Sequence, residues 1–570
     1  MLNPLKFQAK IATLFLVAAL AIAVPSSAVG EPTVTQVGQS LFGEVAGDQF
    51  GQAVAISADG SRLAVSSLIH SVGPDSNVGQ VKIFAFDSQR DTWTQLGQTL
   101  YGDNLNDQFG ISISLNSDGS RLAVGANQAF ILDPLTYVGP GYTRVFEFDV
   151  GTSRWVQLGS DISGDSGQLD YSGYSVSLNS SGNLLAVGAP QPLSGEEGRV
   201  RLYELSGGSW TQKGGDIDGE ASRDQFGIEV ALSADGTTVA IGGNQNSVGG
   251  IRNAAGHVRV HRFTSSTNTW EQLGSDIDGE AVSDQIGDAL ALSADGNRLA
   301  SGTPYSDAGG AKSNAGEVKV FDWTGSVWTQ AGSTIYGDQA GDRLGYSVSL
   351  SASGHELAVG VPAATVDGNS AAGEVRVFTW NSTDWSTLIE PISSESSGDL
   401  AGWSLAMNSA GSYLAIGSIG NQAGGIGANT GRAQVFSISA DLPTSSPVRA
   451  NVHSAPGIFL SIRSSAGNMA QSPEAHFGSY AVQPDSPYLL SIRETGNLAT
   501  TQVLTSGATN EGGHLDETLT LPALGPGSHT LVFSATGATG HRLILGNTII
   551  VDSTGTITSV TPENLQPTIR

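Results

Sequence analysis

The chain has 570 residues, 75 of them glycine and none cysteine, 39% hydrophobic and 14% charged, with a formal net charge of −27. The lack of cysteine excludes disulfides, thiolate metal sites and cysteine nucleophiles, and so acidic a surface repels nucleic acid and anionic membrane. Few charges and abundant glycine point to many short strands and tight turns rather than helices.

Residues 1–28 read as a signal peptide. Lys6 and Lys10 supply a positive start, Ile11 to Val24 is apolar, and Ser26-Ser27-Ala28 offers a small-residue cleavage site. The apolar run is shorter than the ~20 residues of a spanning helix. Export from the cytoplasm, to the cell surface or the medium, is therefore expected, with no membrane span after signal removal. Cleavage takes the formal charge from −27 to −29, because the segment carries two lysines and no acid.

From residue 33 to 440 a unit of about 59 residues occurs seven times. Its most regular mark is an Asp-x-x-Gly step, led by Asp48, Asp107, Asp170, Asp224, Asp284, Asp342 and Asp399. Each unit reads as four strands. The first follows the step, as in Gln52-Ala53-Val54-Ala55-Ile56, and mostly carries Ala or Ser at its second and fourth positions. A tight turn such as Asp59-Gly60 leads to Arg62-Leu63-Ala64-Val65; a third strand starts at a glycine, as at Gly316. The fourth opens with Trp93, Trp155, Trp210, Trp270, Trp328 or Trp385.

Seven four-stranded units predict an all-β fold, a seven-bladed β-propeller. The seventh third strand, around Gln434-Val435-Phe436, has no Trp strand after it, whereas Thr33-Val34-Thr35-Gln36-Val37-Gly38 aligns with the Trp strand at the other end. The N-terminal strand is thus expected to complete the last blade and close the ring, removing an open edge. Residues 441–447 read as a Pro/Ser/Thr linker, 448–552 as a small β-sandwich from the alternation at Tyr488 to Ile492, Leu515 to Leu519 and His529 to Phe533, and 553–570 as a flexible tail.

The pattern Phe50-Gly51, Leu63-Ala64-Val65 and Gly79-x-Val81-x-Ile83-Phe84, with Gly188-Ala189-Pro190, resembles the FG-GAP repeat over residues 33–440. The resemblance implies the seven-bladed propeller of integrin α-subunits and of many exported bacterial proteins. That family's calcium loop is not carried over: the hairpin Ser57-Ala58-Asp59-Gly60-Ser61 has one carboxylate and Ser180-Ser181-Gly182 has none, while calcium needs six to eight oxygens. Leu521-Pro522 and Gly525-Pro526-Gly527-Ser528-His529 resemble a bacterial Ig-like module. No cofactor and no metal site is expected.

A second acid precedes each motif Asp, giving Glu44/Asp48, Asp103/Asp107, Asp165/Asp170, Glu220/Asp224, Glu280/Asp284, Asp338/Asp342 and Glu395/Asp399. Either these fourteen acids ring one channel mouth, or each motif Asp bonds the backbone of its own turn; the second reading is the expected one. The basic residues Lys82, Arg144, Arg201, Arg259, Lys319 and Arg376 recur on the third strands and are expected to pair with acids. Gly164-Asp165-Ser166-Gly167 matches a serine-protease nucleophile motif only in letters. His257 and His261 are too far apart on one strand to share a metal and are expected at the surface.

Functional variation is expected where the copies differ. After the motif Gly stand Gln52, Ile111, Tyr174, Ile228, Asp288, Tyr346 and Trp403, and the next, otherwise small position holds Glu229 in the fourth copy. Tyr174, Glu229, Asp288, Tyr346 and Trp403 are the candidate ligand residues, and the loops 131–140 and 244–255 are a second variable surface. The leading expectation is a non-enzymatic binding or adhesion protein recognising an extracellular protein or glycan. The alternatives are an extracellular polysaccharide hydrolase using acids at the channel mouth and a purely structural surface component.

Overall fold

The computed structural model describes residues 32–439 apart from 74–76, 129–138, 166–169, 192–195, 248–253, 311 and 423–426, and beyond these the backbone of eight strands. The expected signal peptide and linker, most of the loop 131–140 and half of the loop 244–255 lie outside the described residues. The described residues are all-β, and residues 31–440 form one compact unit.

That unit is a seven-bladed β-propeller. In the first blade the antiparallel meander runs from the innermost strand Phe50–Ile56 through Arg62–Ser67 and Gln80–Asp87 to Thr92–Gln95. The outer strand differs from expectation by breaking in two: Thr92–Gln95 pairs with the far half of Gln80–Asp87, and Leu100–Tyr101 with its beginning. Gly97 lies at the break with φ of 76°, and a Cβ there would stand 2.8 Å from Cδ1 of Trp155 in the next blade. The break therefore makes room for a neighbour's indole.

Each indole also latches its blade to the preceding one. Trp155 Nε1 donates to Leu96 O at 2.9 Å, Trp93 to Val37 O at 2.9 Å and Trp385 to Ala331 O at 3.1 Å. The seventh blade is closed by the N-terminal strand Thr33–Gln36, in register with the last third strand from Thr33↔Ser439 to Gln36↔Phe436. Ring closure continues inside, where Ser404 Oγ donates to Gly51 O at 2.8 Å.

Two glycines set the blade spacing. A Cβ on Gly188 would stand 2.1 Å from Gly227 O, and one on Gly125 1.9 Å from Gly173 O. The second strand of one blade thus touches the motif glycine of the next, backbone to backbone. The expected small residues of the innermost strands do more than fit. Ser112, Ser175 and Ser347 each donate to the motif-glycine carbonyl of the following blade, at 2.8–2.9 Å. These hydroxyls stitch strands that share no ladder.

The second unit holds two sheets, one of three strands (Ile458–Arg463, Glu474–Ser479, Leu515–Thr520) and one of five. The last strand of the larger sheet, Ile557–Glu563, lies in the stretch expected as a tail.

Candidate functional site

The Asp-x-x-Gly step is a turn with three fixed parts. Asp107 Oδ2 accepts the N–H of Asp103 at 2.8 Å and of Asn104 at 3.0 Å, and Asp48, Asp170, Asp224, Asp284 and Asp342 accept from their own turns in the same way. Asp399 instead takes the Ser394 hydroxyl and the Asn421 amide. All seven are buried. The next residue is left-handed in every copy, with φ of 52° at Gln108 and 60° at Arg343, and the motif glycine follows with φ of 96° at Gly110.

Five of the seven first acids pair with third-strand cations. Lys82 holds Glu44 at 2.5 Å, Lys319 holds Glu280 at 2.9 Å, Arg376 holds Asp338 at 2.7 Å, and Arg144 and Arg201 hold Asp103 and Asp165. An uncompensated acidic funnel is therefore not what these residues build. Asp165 of the Gly-Asp-Ser-Gly sequence is one of these paired acids; Ser166 and Gly167 lie outside the described residues. His257 and His261 depart from the surface placement expected of them: they are 0% and 4% exposed, because the third strand of a blade is covered by neighbours on both faces.

Immediately after the turn the innermost strand bulges. In the fourth blade Phe226 pairs with Gly243 and Val230 with Ile241, so residues 227–229 oppose Gly242 alone; blades one, two and seven shift at the same place. Bulges re-aim side chains, and here they interrupt the alternation where the copies differ. Glu229 and Trp403 lie within such bulges.

These two meet their counterparts from the third, fifth and sixth blades near the axis. Tyr174 of the third blade feels Asp288 of the fifth and Glu229 of the fourth, and Tyr346 of the sixth feels Asp288 and Tyr174. The Trp403 ring of the seventh blade lies 4.6 Å from that of Tyr346, inclined at 43°. Five successive blades come into such reach only near the axis, at the end where the innermost strands begin, the axial mouth. The first two blades contribute Gln52 and Ile111 at the equivalent positions, so the mouth has one polar, aromatic side.

Three further residues complete it. Asn244 Nδ2 donates to Asp288 Oδ1 at 2.8 Å, while its own buried Oδ1 has no partner. Tyr305 acts on both Tyr174 and Tyr346, and the Arg343 guanidinium lies 5.5 Å from the Tyr305 ring centre. Asn244 and Tyr305 follow the second strands of blades four and five. In an antiparallel meander that end coincides with the start of the innermost strand, which is why variable loops and motif turns share one face.

The electrostatics of the mouth separate its two acids. Burial, with the nearby Asp288 charge, pushes the Glu229 carboxyl up to about 8. Burial also lifts Asp288 above the ordinary aspartate value, and the Asn244 amide pulls it back. Two acids that meet in one place are thus both pushed toward their protonated forms, and Asp288 alone has an amide donor to offset this. Burial and the same acids raise Tyr174 to about 12, so its hydroxyl remains a donor.

No known family model matches the chain, and no curated protein matches it. Solved structures resemble it in part. The periplasmic gluconolactonase of Pseudomonas aeruginosa is 14% identical with a TM-score of 0.41, covering 79% of this chain and 97% of its own. The alpha-L-arabinanase of Penicillium chrysogenum is 12% identical with a TM-score of 0.34, covering 57% and 92%. U3-55K is 10% identical with a TM-score of 0.40, covering 71% and 98%. Two of these three are enzymes by name, which corrects the expectation that a chain of this kind is not an enzyme. Likeness at these values assigns neither fold nor activity; its own strand order makes the chain an all-β, seven-bladed propeller protein.

Proposed function

We propose that the chain is an exported hydrolase of polysaccharides whose active centre is the axial mouth. The observation that carries this reading is the pairing of Glu229, raised to about 8, with Asp288, which takes the Asn244 amide, among Tyr174, Tyr346, Trp403 and Tyr305. Glycosidic hydrolysis needs such a pair. Glu229 gives its proton to the leaving oxygen as the glycosidic bond breaks. Asp288, oriented by Asn244, serves the anomeric carbon from the other side, as base toward water or as nucleophile. Retention or inversion of the product anomer tells which. The tilted Tyr346 and Trp403 rings offer apolar faces for sugar rings, and the unpartnered Asn244 Oδ1 an acceptor for a sugar hydroxyl.

Kinship with the FG-GAP repeat belongs to this proposal and rests on the Phe-Gly and Gly-Ala-Pro positions alone. So do export through residues 1–28, the linker at 441–447, and an Ig-like spacer made by the second unit. The test is release of reducing ends from a panel of soluble polysaccharides by the chain lacking residues 1–28, with Glu229→Gln and Asp288→Asn alongside. Turnover by the parent and at least a hundredfold loss in both variants is expected. Turnover that survives both changes, or none across the panel, refutes the proposal.

A further inference from the structure

The repeat supplies its own controls for a second site, at one corner of the fourth blade. In the second blade Arg144 bridges Asp103, in the turn before the innermost strand, to Asp161 on the outer edge, the latter at 2.9 Å. In the third blade Arg201 bridges Asp165 and Asp216, both at 2.9 Å, and Arg199 joins them. The fourth blade keeps the two acids, as Glu220 and Asp276, but not the bridge. Arg259 donates instead to Gln272 Oε1 at 2.9 Å and to Asp218 O at 3.1 Å, and stays 3.7 Å from Asp276 Oδ1. His257 takes the place of Arg199.

That imidazole is 0% exposed and neither of its nitrogens has a hydrogen-bond partner. Nδ1 faces Asp276 Oδ2 at 3.7 Å, beyond a hydrogen bond, and the rest of the ring lies against Gly243 and Phe226. Ligand atoms of Glu220, His257 and Asp276 lie within 4.8 Å of one another. A buried polar group left unpaired calls for a partner, and here two carboxylates converge on the same point.

We propose that Glu220, His257 and Asp276 form a zinc-class divalent cation site, the ion standing where a guanidinium bridges the acids in neighbouring blades. Two ligands each about 2.1 Å from a tetrahedral zinc stand roughly 3.4 Å apart, so the His257–Asp276 separation needs only a small contraction. Glu220 is exposed and free to close the remaining gap. One imidazole nitrogen with two carboxylates suits zinc, whereas calcium and magnesium favour oxygen alone. Three protein ligands leave a fourth position for water. The ion ties the turn that leads into the Glu229 strand to the outer edge of its blade.

The experiment is calorimetric titration of the tag-free, chelator-stripped chain, lacking residues 1–28, with Zn²⁺, and with Ca²⁺ and Mg²⁺ as separate arms. One Zn²⁺ per chain is expected, with a higher unfolding midpoint and no comparable effect of Ca²⁺ or Mg²⁺. Glu220→Gln, at an exposed position that leaves the packing intact, should weaken affinity at least tenfold, and His257→Gln should abolish the site. Co²⁺ in the unsubstituted chain should show visible bands that His257→Gln lacks. Absence of Zn²⁺ binding, unchanged affinity in Glu220→Gln, or equal binding of Ca²⁺ overturns the proposal.

Discussion

Replacing Glu229 by glutamine should stabilise the propeller at neutral pH and leave it unchanged in acid. At the equivalent position the other blades carry Ala53, Ser112, Ser175, Ala289, Ser347 and Ser404, and the four serines bond the next blade's motif-glycine carbonyl. Glu229 gives up that stitch. Its carboxyl is raised from 4.5 to about 8, so between these values the folded chain holds a proton that the unfolded chain has released. Stability therefore falls as pH rises through this window, by about 1.4 kcal/mol per unit. The cost is zero below pH 4.5, about 3 kcal/mol at pH 7 and on the order of 5 kcal/mol above pH 8. Glutamine removes it. With an unfolding entropy of roughly 2 cal/mol/K per residue, 3 kcal/mol in a propeller of this size moves the midpoint about 3–4 °C. Thermal unfolding of both chains side by side from pH 4 to 9 gives the difference, because titrating groups remote from residue 229 cancel and only its neighbours Asp288 and Tyr174 respond with it. A difference that does not grow with pH, or a less stable variant at pH 7, refutes the argument.

Other outcomes follow from the same geometry. In the proposed reaction, the alkaline limb of kcat/KM should fall with a midpoint near 8 and be absent in Glu229→Gln, whose residual rate is flat there; a limb of the same midpoint in the variant would assign it elsewhere. Gly188→Ala sets a Cβ 2.1 Å from Gly227 O and should cost about 3 kcal/mol or more by overpacking, read as the shift in thermal midpoint; an unshifted midpoint would contradict the blade spacing. Trp155→Phe removes the donor to Leu96 O and should cost about 1 kcal/mol or slightly more, whereas Trp155→Ala should cost about 3–5 kcal/mol. Deleting residues 31–38 removes the closing strand and leaves the third strand Arg432–Ser439 with only Leu41–Phe42 on its outer side, so loss of cooperative unfolding is expected; an unchanged transition would mean the ring does not depend on closure.

The propeller and its closure were legible because a period of about 59 residues and a displaced remainder, Thr33 to Gly38, leave one ring arrangement. Period alone did not show the broken outer strand: Gln-Leu-Gly reads as a continuous strand until the next blade's indole occupies the space beside Gly97. The burial of His257 was hidden for a related reason. A local pattern of His, Val, Arg and Val suggests one wet face, but the third strand has a blade on either side. The five candidate residues came from disagreement among copies, and the structure groups them at one mouth. Asn244 was legible only as the start of the variable loop 244–255, and Tyr305 and Arg343 escaped notice. Asn244 and Tyr305 stand after second strands, where residues vary for many reasons and only the meander brings them to the same end. Arg343 occupies the left-handed position of a motif turn, where Gln49 or Gln108 stand in other copies, and nothing local marked it as a neighbour of Tyr305.

The central claim is that the axial mouth is where substrate binds and reacts. A crystal structure of Glu229→Gln soaked with an oligosaccharide from the substrate the parent hydrolyses tests it most directly. The account predicts a sugar ring against Trp403 and Tyr346, a hydroxyl on Asn244 Oδ1, and the scissile oxygen within hydrogen-bond distance of residue 229. Oligosaccharide bound on the outer strands or the opposite face, with the mouth holding only water, would contradict it.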